Sequence, residues 1–236
     1  MTAPLVLLHG WGLASGVWAS LQAELGVPTL APDLFAAEGS LDDWAARLLD
    51  EIPADAILVG WSLGAMLAMA IAARAPQRIS RLVLLAATPS FIKRDGWQPA
   101  LDAATTTAFR ENFRNAPLRT LERFIALQVL GDTERSSVSA ALHAALADPL
   151  VHARALAHGL RQLEQSDLRN ALPPASMRCL LIHGEQDALM PLGATEWLAH
   201  RWPGSEIYIL PGAGHAAFLS QPVQVATRIR QFIHAN

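Results

Sequence analysis

The sequence has very little cysteine and little charge. Its 236 residues include a single cysteine, Cys179, so no intramolecular disulfide can form, which is typical of proteins in a reducing compartment. Charged residues make up only 17% of the chain, and the net charge of −3 does not favour nucleic acid or an anionic membrane as a partner. No basic segment precedes the first apolar run, so no secretory leader is predicted. We therefore expect a cytoplasmic protein that binds neither nucleic acid nor membranes.

Motifs for metals, nucleotides and membrane spans are missing as well. No set of His, Cys, Asp and Glu has the spacing of metal ligands, and neither a dinucleotide-binding glycine motif nor a P-loop follows a predicted strand. The uncharged stretch 56–73 has nearly the length of a membrane helix, but two glycines and a serine interrupt it. We predict no metal, no cofactor and no membrane span.

Apolar residues, in contrast, are abundant: they form 52% of the chain and are arranged in short runs. Six runs are predicted to be strands, at residues 5–8, 27–31, 56–59, 81–86, 178–182 and 206–210. Helical patterns separate most of them, and this alternation favours right-handed crossovers and a parallel sheet with helices on both faces. The predicted fold class is therefore α/β, with about six parallel strands.

The alternation stops between the fourth and fifth predicted strands. From residue 90 to residue 170 the pattern is helical, with expected helices at 101–115, 118–130, 136–146 and 150–165. We interpret this stretch as a helical cap of residues 89–170, inserted after the fourth strand. The core would then consist of residues 1–88 and 171–236.

The most informative stretch is the pentapeptide Gly-Trp-Ser-Leu-Gly at 60–64, which lies between a predicted strand and a predicted helix. Strand, sharp turn and helix are the context in which such a pentapeptide forms a nucleophile elbow. The turn strains the backbone of Ser62 and exposes its Oγ at the carboxyl end of the strand, and glycines on both sides avoid collisions. For the pentapeptide taken alone, a buried turn that contains a serine by chance is the alternative.

Two later strand ends supply the partners that a nucleophilic serine needs. Asp187 follows the fifth strand and His215 follows the sixth, in the chain order Ser, Asp, His that triads on parallel sheets use. Because the carboxyl ends of parallel strands share one edge of the sheet, the three residues should meet there. Asp33 and Asp167 are alternative acids, but Asp33 follows an early strand and Asp167 ends the cap. His183 also lies at a strand end, and we interpret it as structural.

These positions predict the roles in ester hydrolysis. Ser62 Oγ would attack the carbonyl carbon, His215 would take the proton and pass it to the leaving alkoxide, and Asp187 would orient His215. The backbone N–H groups of Leu63 and Trp11 would hold the oxyanion, because a His-Gly loop follows the first strand as in known oxyanion loops.

Four sequence motifs resemble those of a known protein family. They read Leu-Leu-His-Gly-Trp-Gly-Leu at 7–13, Gly-Trp-Ser-Leu-Gly at 60–64, Ala-Thr-Pro-Ser-Phe at 87–91 and Glu-Arg-Phe-Ile-Ala-Leu-Gln at 122–128. With them the chain resembles the α/β-hydrolase superfamily over its whole length. At closer range it is similar to the esterases that hydrolyse the methyl ester of pimeloyl-acyl carrier protein in biotin synthesis. The tryptophans at 11 and 61 make this match far more selective than the superfamily pattern.

The resemblance implies a serine carboxylesterase whose partner is the acyl carrier protein that bears the substrate. It implies that the ester sits against Trp11, Ser62, Leu63 and His215. It also implies that one segment of the cap lines the pocket, namely Phe124, Ile125, Ala126, Leu127 and Gln128. The usual first two strands of that fold are missing from the pattern, so we expect six strands instead of eight and an exposed sheet edge.

Two cap arginines, Arg119 and Arg123, are candidates for docking an acidic carrier protein. They share one helix face at i,i+4 and match basic positions of the family. A solvated helix face with an intrahelical pair between Arg119 and Glu122 is the alternative. We expect the protein to act as a monomer.

Other functions fit the same residues. The triad could serve a general short-chain esterase, or a hydrolase of carbon–carbon bonds or peracids. The fold could also be a catalytically inactive binding protein, although the intact Ser62, Asp187 and His215 argue against this.

Overall fold

Six parallel strands form one central sheet in the computed structural model, which describes residues 3–235. The strands are β1 (Leu5–Leu8), β2 (Thr29–Leu30), β3 (Ala56–Trp61), β4 (Ile79–Leu85), β5 (Cys179–Gly184) and β6 (Glu206–Leu210). Their order across the sheet is β2-β1-β3-β4-β5-β6, and every neighbouring pair is parallel. The predicted α/β class with six parallel strands is confirmed.

The inner strands are buried on both faces of the sheet. In β1, Val6 and Leu8 join one hydrophobic cluster, while Leu5 and Leu7 join the cluster on the other face. Successive side chains of a strand point in opposite directions, so a strand with helices on both sides must be apolar at every position. This is why the sequence shows continuous apolar runs here and no polar alternation.

Helices cover the sheet and form the insertion. Those of the core are α1 (Ala19–Leu25), α2 (Leu41–Glu51), α3 (Leu63–Arg74), α8 (Leu192–Arg201), α9 (Ala217–Ser220) and α10 (Pro222–His234). Short 3₁₀ turns span Ser15–Trp18 and Pro76–Arg78. Helix α2 begins with a capping box: Ser40 Oγ accepts the N–H of Asp43, and the Asp43 carboxylate accepts the N–H of Ser40.

The insertion lies between β4 and β5 and consists of α4 (Ala103–Asn115), α5 (Pro117–Gln128), α6 (Arg135–Ala144) and α7 (Pro149–Gln165). Helix α4 packs against α5 and α7. The helical cap after the fourth strand therefore has the predicted place in the chain, with four helices near the predicted positions. Its proposed limits at residues 89 and 170 stay predictions.

Two core elements differ from the sequence prediction. The second strand was expected at 27–31, but β2 is only two residues long, because Pro28 and Pro32 lack the N–H that a longer ladder would need. Leu30 at this edge is 42% exposed, so the expected open sheet edge is present. Helix α9 is a single turn, too short to show a period in the sequence.

The uncharged run 56–73 divides into β3 and α3, as the strand–turn–helix interpretation requires. Within residues 3–235, none of the helices has both the length and the apolar character that crossing a membrane takes. The carboxyl ends of β1, β3, β5 and β6 all open on the same side, which is where the candidate residues collect.

Candidate active site

Ser62 occupies the sharp turn between β3 and α3 with φ +56° and ψ −117°. A residue with a side chain rarely adopts this conformation, so the turn stores strain. Hydrogen bonds hold it: the N–H of Ser62 donates to the carbonyl of Leu85 at 3.0 Å, and its carbonyl accepts the N–H groups of Ala65 and Met66. Ser62 is therefore fixed at the carboxyl end of β3.

The glycines on either side of Ser62 are required by close backbone contacts. A Cβ on Gly60 would lie 2.5 Å from the carbonyl oxygen of Gly64, and a Cβ on Gly64 would lie 2.0 Å from the carbonyl oxygen of Leu8. Backbone atoms cannot rotate away as the end of a side chain can, so only glycine fits at both positions. The cause is the convergence of β1, β3 and α3 at this turn.

Asp187 and His215 meet at the ends of β5 and β6. His215 Nδ1 lies 2.8 Å from Asp187 Oδ2, while Asp187 Oδ1 accepts the N–H groups of Leu189 and Met190, both at 2.9 Å. Burial acts to raise the pKa of Asp187, but the neighbouring His215 and the hydrogen bonds outweigh it and hold that pKa below its ordinary value. Asp187 is thus a carboxylate at neutral pH and keeps the proton of His215 on Nδ1.

The other ring nitrogen of His215, Nε2, is buried and has no hydrogen-bond partner within residues 3–235. The backbone around it is held from two directions. The indole Nε1 of Trp61 donates to the carbonyl of His215 at 3.0 Å, and the N–H of His215 donates to the carbonyl of Gln128 at 3.1 Å. Sequence reasoning singled out Trp61 only through the resemblance, whereas the structure shows its physical task of fixing the His215 peptide.

The alternative acids lie elsewhere. Asp33 accepts the N–H of Ser15 at 2.6 Å, and its side chain is 48% exposed. Asp167 binds the guanidinium of Arg169 at 2.8 Å, and this hydrogen bond is the main reason that its pKa lies below the ordinary value. Among the residues that the structure describes, Asp187 alone supplies a carboxylate to His215.

His183 lies beside the pair, with Nε2 3.8 Å from Asp187 Oδ2. That nitrogen donates to the carbonyl of Met190, and Nδ1 accepts the hydroxyl of Thr195, each at 2.9 Å. Burial lowers the pKa of His183, so the ring stays neutral and supports the loop that carries Asp187. Despite this proximity, no group of three or more His, Cys, Asp or Glu in the described range is arranged to hold a metal ion.

Two backbone N–H groups near Ser62 have no acceptor inside residues 3–235, namely those of Leu63 and Trp11. Leu63 is the first residue of α3, so its N–H lies outside the helical ladder. Trp11 is in the loop after β1, where a Cβ on Gly10 would lie only 3.4 Å from Ser62 Cβ. Two backbone hydrogen bonds, of 2.9 and 3.1 Å, tie this loop to residues 145–147 of the cap. The arrangement can stabilise an oxyanion.

His9 shapes the loop that carries Trp11. Its Nδ1 donates to the carbonyl of Gly10 at 2.8 Å, and its Nε2 accepts the N–H of Leu34 at 2.9 Å. Only the neutral imidazole can serve both partners. Burial lowers the pKa of His9 to about 4, so the ring is neutral at physiological pH.

The indole of Trp11 lies at the centre of an aromatic cluster under the cap. Its Nε1 donates to the carbonyl of Leu156 in α7 at 2.7 Å. The rings of Phe109, Phe113 and Phe124 meet it edge-on, with centroids 5.7, 5.6 and 5.1 Å away. The loop after β1 is thereby joined to three cap helices.

A narrow cavity of about 50 Å³ opens beside this cluster. Apolar side chains line it, including Phe109, Phe124 and Leu127 from the cap and Phe91 and Leu189 from the core. Leu189 is only two residues from Asp187, and its N–H donates to Asp187 Oδ1, so the cavity adjoins the loop that carries Asp187. The apolar character of this lining suits an alkyl group better than a polar one.

The five residues expected to line the pocket from α5 divide between different sides of the helix. Phe124 and Leu127 line the cavity. Ile125 packs in the hydrophobic cluster on the opposite face of the sheet, and Ala126 is exposed. Gln128 is 1% exposed, and neither atom of its amide has a hydrogen-bond partner in residues 3–235. Successive helical side chains point about 100° apart, so a run of five cannot face one pocket.

Arg119 and Arg123 are exposed on α5. Neither forms an ion pair with a described residue, so the alternative pair between Arg119 and Glu122 is not present. Five other basic residues of the insertion do have carboxylate partners: Lys93, Arg94, Arg110, Arg154 and Arg169. The α5 arginines therefore present unneutralised positive charge at the surface.

Comparison with known proteins gives a consistent picture. Residues 5–228 match the alpha/beta hydrolase family. A pimeloyl-acyl carrier protein methyl ester esterase of Aromatoleum aromaticum is 43% identical over 244 residues, covering 97% of each chain. A protein of the same name from Nitrosomonas europaea is 37% identical, over 93% of this chain and 91% of its own length. Among solved structures, an esterase from Exiguobacterium antarcticum has a TM-score of 0.81 at 19% identity, with 100% of this chain and 94% of that chain covered, which shows the fold alone.

Proposed function

The chain belongs to the α/β-hydrolase family, and we propose that it is a serine carboxylesterase that cleaves the methyl ester of pimeloyl-acyl carrier protein in biotin synthesis. The substrate follows from the two named relatives. The observation that carries the chemistry is the buried pair of His215 and Asp187, 2.8 Å apart, with an unpartnered Nε2 at the same sheet edge as the strained turn of Ser62.

The proposed reaction has two halves. Ser62 Oγ attacks the ester carbonyl while His215 Nε2 takes its proton, and Asp187 stabilises the imidazolium. The N–H groups of Leu63 and Trp11 hold the oxyanion of the tetrahedral intermediate. His215 then protonates the leaving methoxide, which departs as methanol and leaves an acyl-Ser62 ester. A water molecule, deprotonated by His215, attacks this ester and releases the free carboxylic acid.

The acyl chain has a suitable path under the cap. The methyl ester lies at the end of the pimeloyl group that is remote from the carrier, so the chain must thread inward for the ester to reach Ser62. We place its methylenes against Phe124 and Leu127, in the apolar cavity that begins beside the Asp187 loop. The unpartnered amide of Gln128 is available to a polar atom of the substrate or to water.

We propose that Arg119 and Arg123 dock the carrier protein. Their unneutralised guanidinium groups, one turn apart on an exposed face of α5, are suited to the carboxylates and the phosphodiester of an acidic carrier. We further place the protein in the cytoplasm as a monomer. The single, buried Cys179 thiol is compatible with a reducing compartment.

The function is tested by incubating the purified protein with pimeloyl-acyl carrier protein methyl ester and measuring methanol and the free acid. We expect rapid hydrolysis, a loss of at least about 10⁴-fold in Ser62→Ala, and covalent labelling of Ser62 by a fluorophosphonate that disappears in His215→Ala. Equal turnover of free short-chain esters would identify a general esterase instead. Absence of labelling would contradict the proposal that the protein is a serine hydrolase.

Docking is tested separately by reversing both arginines, Arg119→Glu with Arg123→Glu. We expect KM for the carrier-bound ester to rise at least about tenfold, with no change for a free p-nitrophenyl ester, because only the carrier protein reaches the exposed face of α5 that bears the two arginines. The matched control makes the same charge change on two exposed core arginines, Arg47→Glu with Arg201→Glu. An equal loss on both substrates, or an equal loss in the control, would contradict docking at α5.

A further inference from the structure

The turn between α5 and α6, residues 129–134, contacts the loop that carries His215. We call residues 129–134 the cap turn and residues 211–215 the histidine loop. Two hydrogen bonds join the two regions, and a third joins the histidine loop to the end of α5. The N–H of Thr133 donates to the carbonyl of Gly212 at 2.9 Å, the N–H of Gly214 donates to Asp132 Oδ2 at 2.7 Å, and the N–H of His215 donates to the last carbonyl of α5, that of Gln128, at 3.1 Å. The cap therefore touches the histidine loop directly.

Asp132 is the side chain at the centre of this contact. It is buried, and both of its oxygens accept hydrogen bonds. Besides the bond from Gly214, Oδ1 accepts the N–H of Glu134 at 2.7 Å and the hydroxyl of Ser220 in α9 at 2.9 Å. No cation in residues 3–235 pairs with it, so the carboxylate is held entirely by these hydrogen-bond donors. One side chain thus links the cap turn, the histidine loop and α9.

The histidine loop leaves no space between itself and the cap turn. A Cβ on Gly214 would lie 2.8 Å from the carbonyl oxygen of Gln128 and 3.2 Å from Asp132 Oδ2. Gly212 has φ +70°, and a Cβ there would lie 2.9 Å from Thr133 Cγ2. Such close packing transmits a displacement of the cap turn to the loop.

We propose that Asp132 is a positioning residue for the base: it holds the histidine loop against the cap turn and so keeps the His215 ring in line with Ser62. Asp132 accepts the N–H of Gly214, in the peptide that joins Ala213 to Gly214, while Trp61 donates to the carbonyl of His215 from the core side. Among the described residues, Asp187 alone forms a hydrogen bond to the ring itself. A displacement of about 1 Å in a catalytic group can cost about 100-fold in rate, so a small shift of the loop has a measurable effect.

The inference rests on the proposed function only through the triad, and a small substrate is therefore sufficient to test it. The experiment measures hydrolysis of a p-nitrophenyl ester, with the active sites of each preparation counted by fluorophosphonate titration. For Asp132→Asn we expect kcat per titrated site to fall about tenfold with KM within about twofold of the parent. The amide keeps the size of the side chain but places an N–H donor where the carboxylate accepts.

Three further variants complete the test. Ser220→Ala removes one donor to Asp132 and should lower kcat per titrated site about threefold. Glu134→Gln makes the same charge change on an exposed side chain two residues away, and its kcat should equal that of the parent. In Asp132→Ala, kcat per titrated site should fall at least as far as in Asp132→Asn. If Asp132→Ala does not fold, the kcat per titrated site of Asp132→Asn decides the test.

A purely structural role gives a different pattern. In Asp132→Asn, the number of active sites that fluorophosphonate labels would then fall, while kcat per labelled site stayed within twofold of the parent. This outcome overturns the inference. A parent protein that is inert to both ester and fluorophosphonate overturns the proposed function as well. An active parent with unchanged variants overturns the positioning role alone.

Discussion

The core and the cap both contact the candidate site, but the contacts of the core are more rigid than those of the cap. In the core, the closest approaches are between backbones: a Cβ on Gly64 would meet a carbonyl oxygen of β1 at 2.0 Å. In the cap, a Cβ on Gly159 of α7 would meet a side chain, the ring of Trp11, at 2.7 Å. A side chain can yield and a strand in the middle of a sheet cannot. We infer that the core fixes the position of the chemistry and that the cap can adapt around the acyl chain.

The two regions also share the control of His215. Trp61 donates to its carbonyl from the core, and the cap turn holds the N–H of the preceding residue, Gly214, through Asp132. The cap is therefore part of the catalytic geometry as well as a cover for the substrate. Four predictions, in order of decreasing effect, test how far this division extends.

The largest effect is expected for Gly64→Ala in the core. Its Cβ would overlap a backbone oxygen of β1, so we expect a loss of more than about 4 kcal/mol in the free energy of unfolding, with little folded protein recovered. Chemical denaturation followed by circular dichroism measures this loss. The control is Gly16→Ala, where nothing lies within 4 Å of the new Cβ, and its stability should be nearly unchanged. A stable Gly64→Ala protein would show that the backbone of the core can shift as readily as the side chains beneath the cap.

The second prediction concerns the pH dependence of stability through His9 in the core. The pKa of His9 falls from 6.5 in the unfolded chain to about 4 in the folded protein. As the pH drops from 6.5 to 4, the unfolded state therefore binds a proton that the folded state does not. The His9 contribution, fully present above pH 6.5, should decline by roughly 3 kcal/mol over this range.

Urea titrations at several pH values measure this change. The His9→Gln variant should show a shallower decline between pH 6.5 and pH 4 than the parent. His143→Gln removes an exposed cap histidine and should follow the parent. If His9→Gln declines as steeply as the parent, the loop after β1 does not depend on a neutral His9.

The third prediction removes the core contact to His215. Trp61→Phe deletes the indole N–H that donates to the His215 carbonyl. We expect kcat per titrated site to fall about tenfold, because the main chain of His215 then keeps only the hydrogen bond from its N–H to the cap carbonyl of Gln128. Trp18→Phe is a matched control, since Trp18 is equally buried but its Nε1 has no hydrogen-bond partner in the described part of the chain. Equal losses in the two variants would mean that packing, and not the hydrogen bond, is responsible.

The smallest effect is expected for Gly159→Ala in the cap. Alanine favours the helix by up to about 1 kcal/mol over glycine, which should offset the strain of displacing Trp11, so stability should stay within about 1 kcal/mol. The displaced ring should nevertheless lower kcat/KM for ester hydrolysis about fivefold. Gly193→Ala in α8, where the new Cβ makes an ordinary contact with Pro99, should change neither quantity. A large loss of stability in Gly159→Ala would remove the difference between cap and core.

Much of the framework was predictable because it depends on local patterns. Continuous apolar runs identified all six strands, although the two prolines shortened β2, and the absence of such runs identified the helical insertion. In a parallel sheet every strand ends on the same side, so residues that follow strands gather without any knowledge of packing. The approach of His215 to Asp187 follows from that rule, and their chemical roles stay a proposal.

Other contacts could not be predicted from local sequence patterns. They join residues that are remote in the chain, or they depend on the direction of a side chain. Trp61 and His215 are 154 positions apart, and Asp132 and Gly214 are 82 apart, so no local signal pairs them. The resemblance marked 124–128 as one segment, but helical geometry turns Ile125 and Ala126 away from the cavity. The ion-pairing state of Arg119 and Arg123 likewise depends on which carboxylates the fold brings near.

Local sequence patterns were sufficient to predict the parallel sheet, the place of the cap and the gathering of Ser62, Asp187 and His215 at one edge. These features follow from periodicity, chain order and turn chemistry, which are properties of short segments. Long-range packing, in contrast, sets which side chains hold the His215 backbone, which face of α5 meets the acyl cavity and which arginines remain unpaired. Those outcomes arise when separate segments pack together, and each segment alone is compatible with several arrangements.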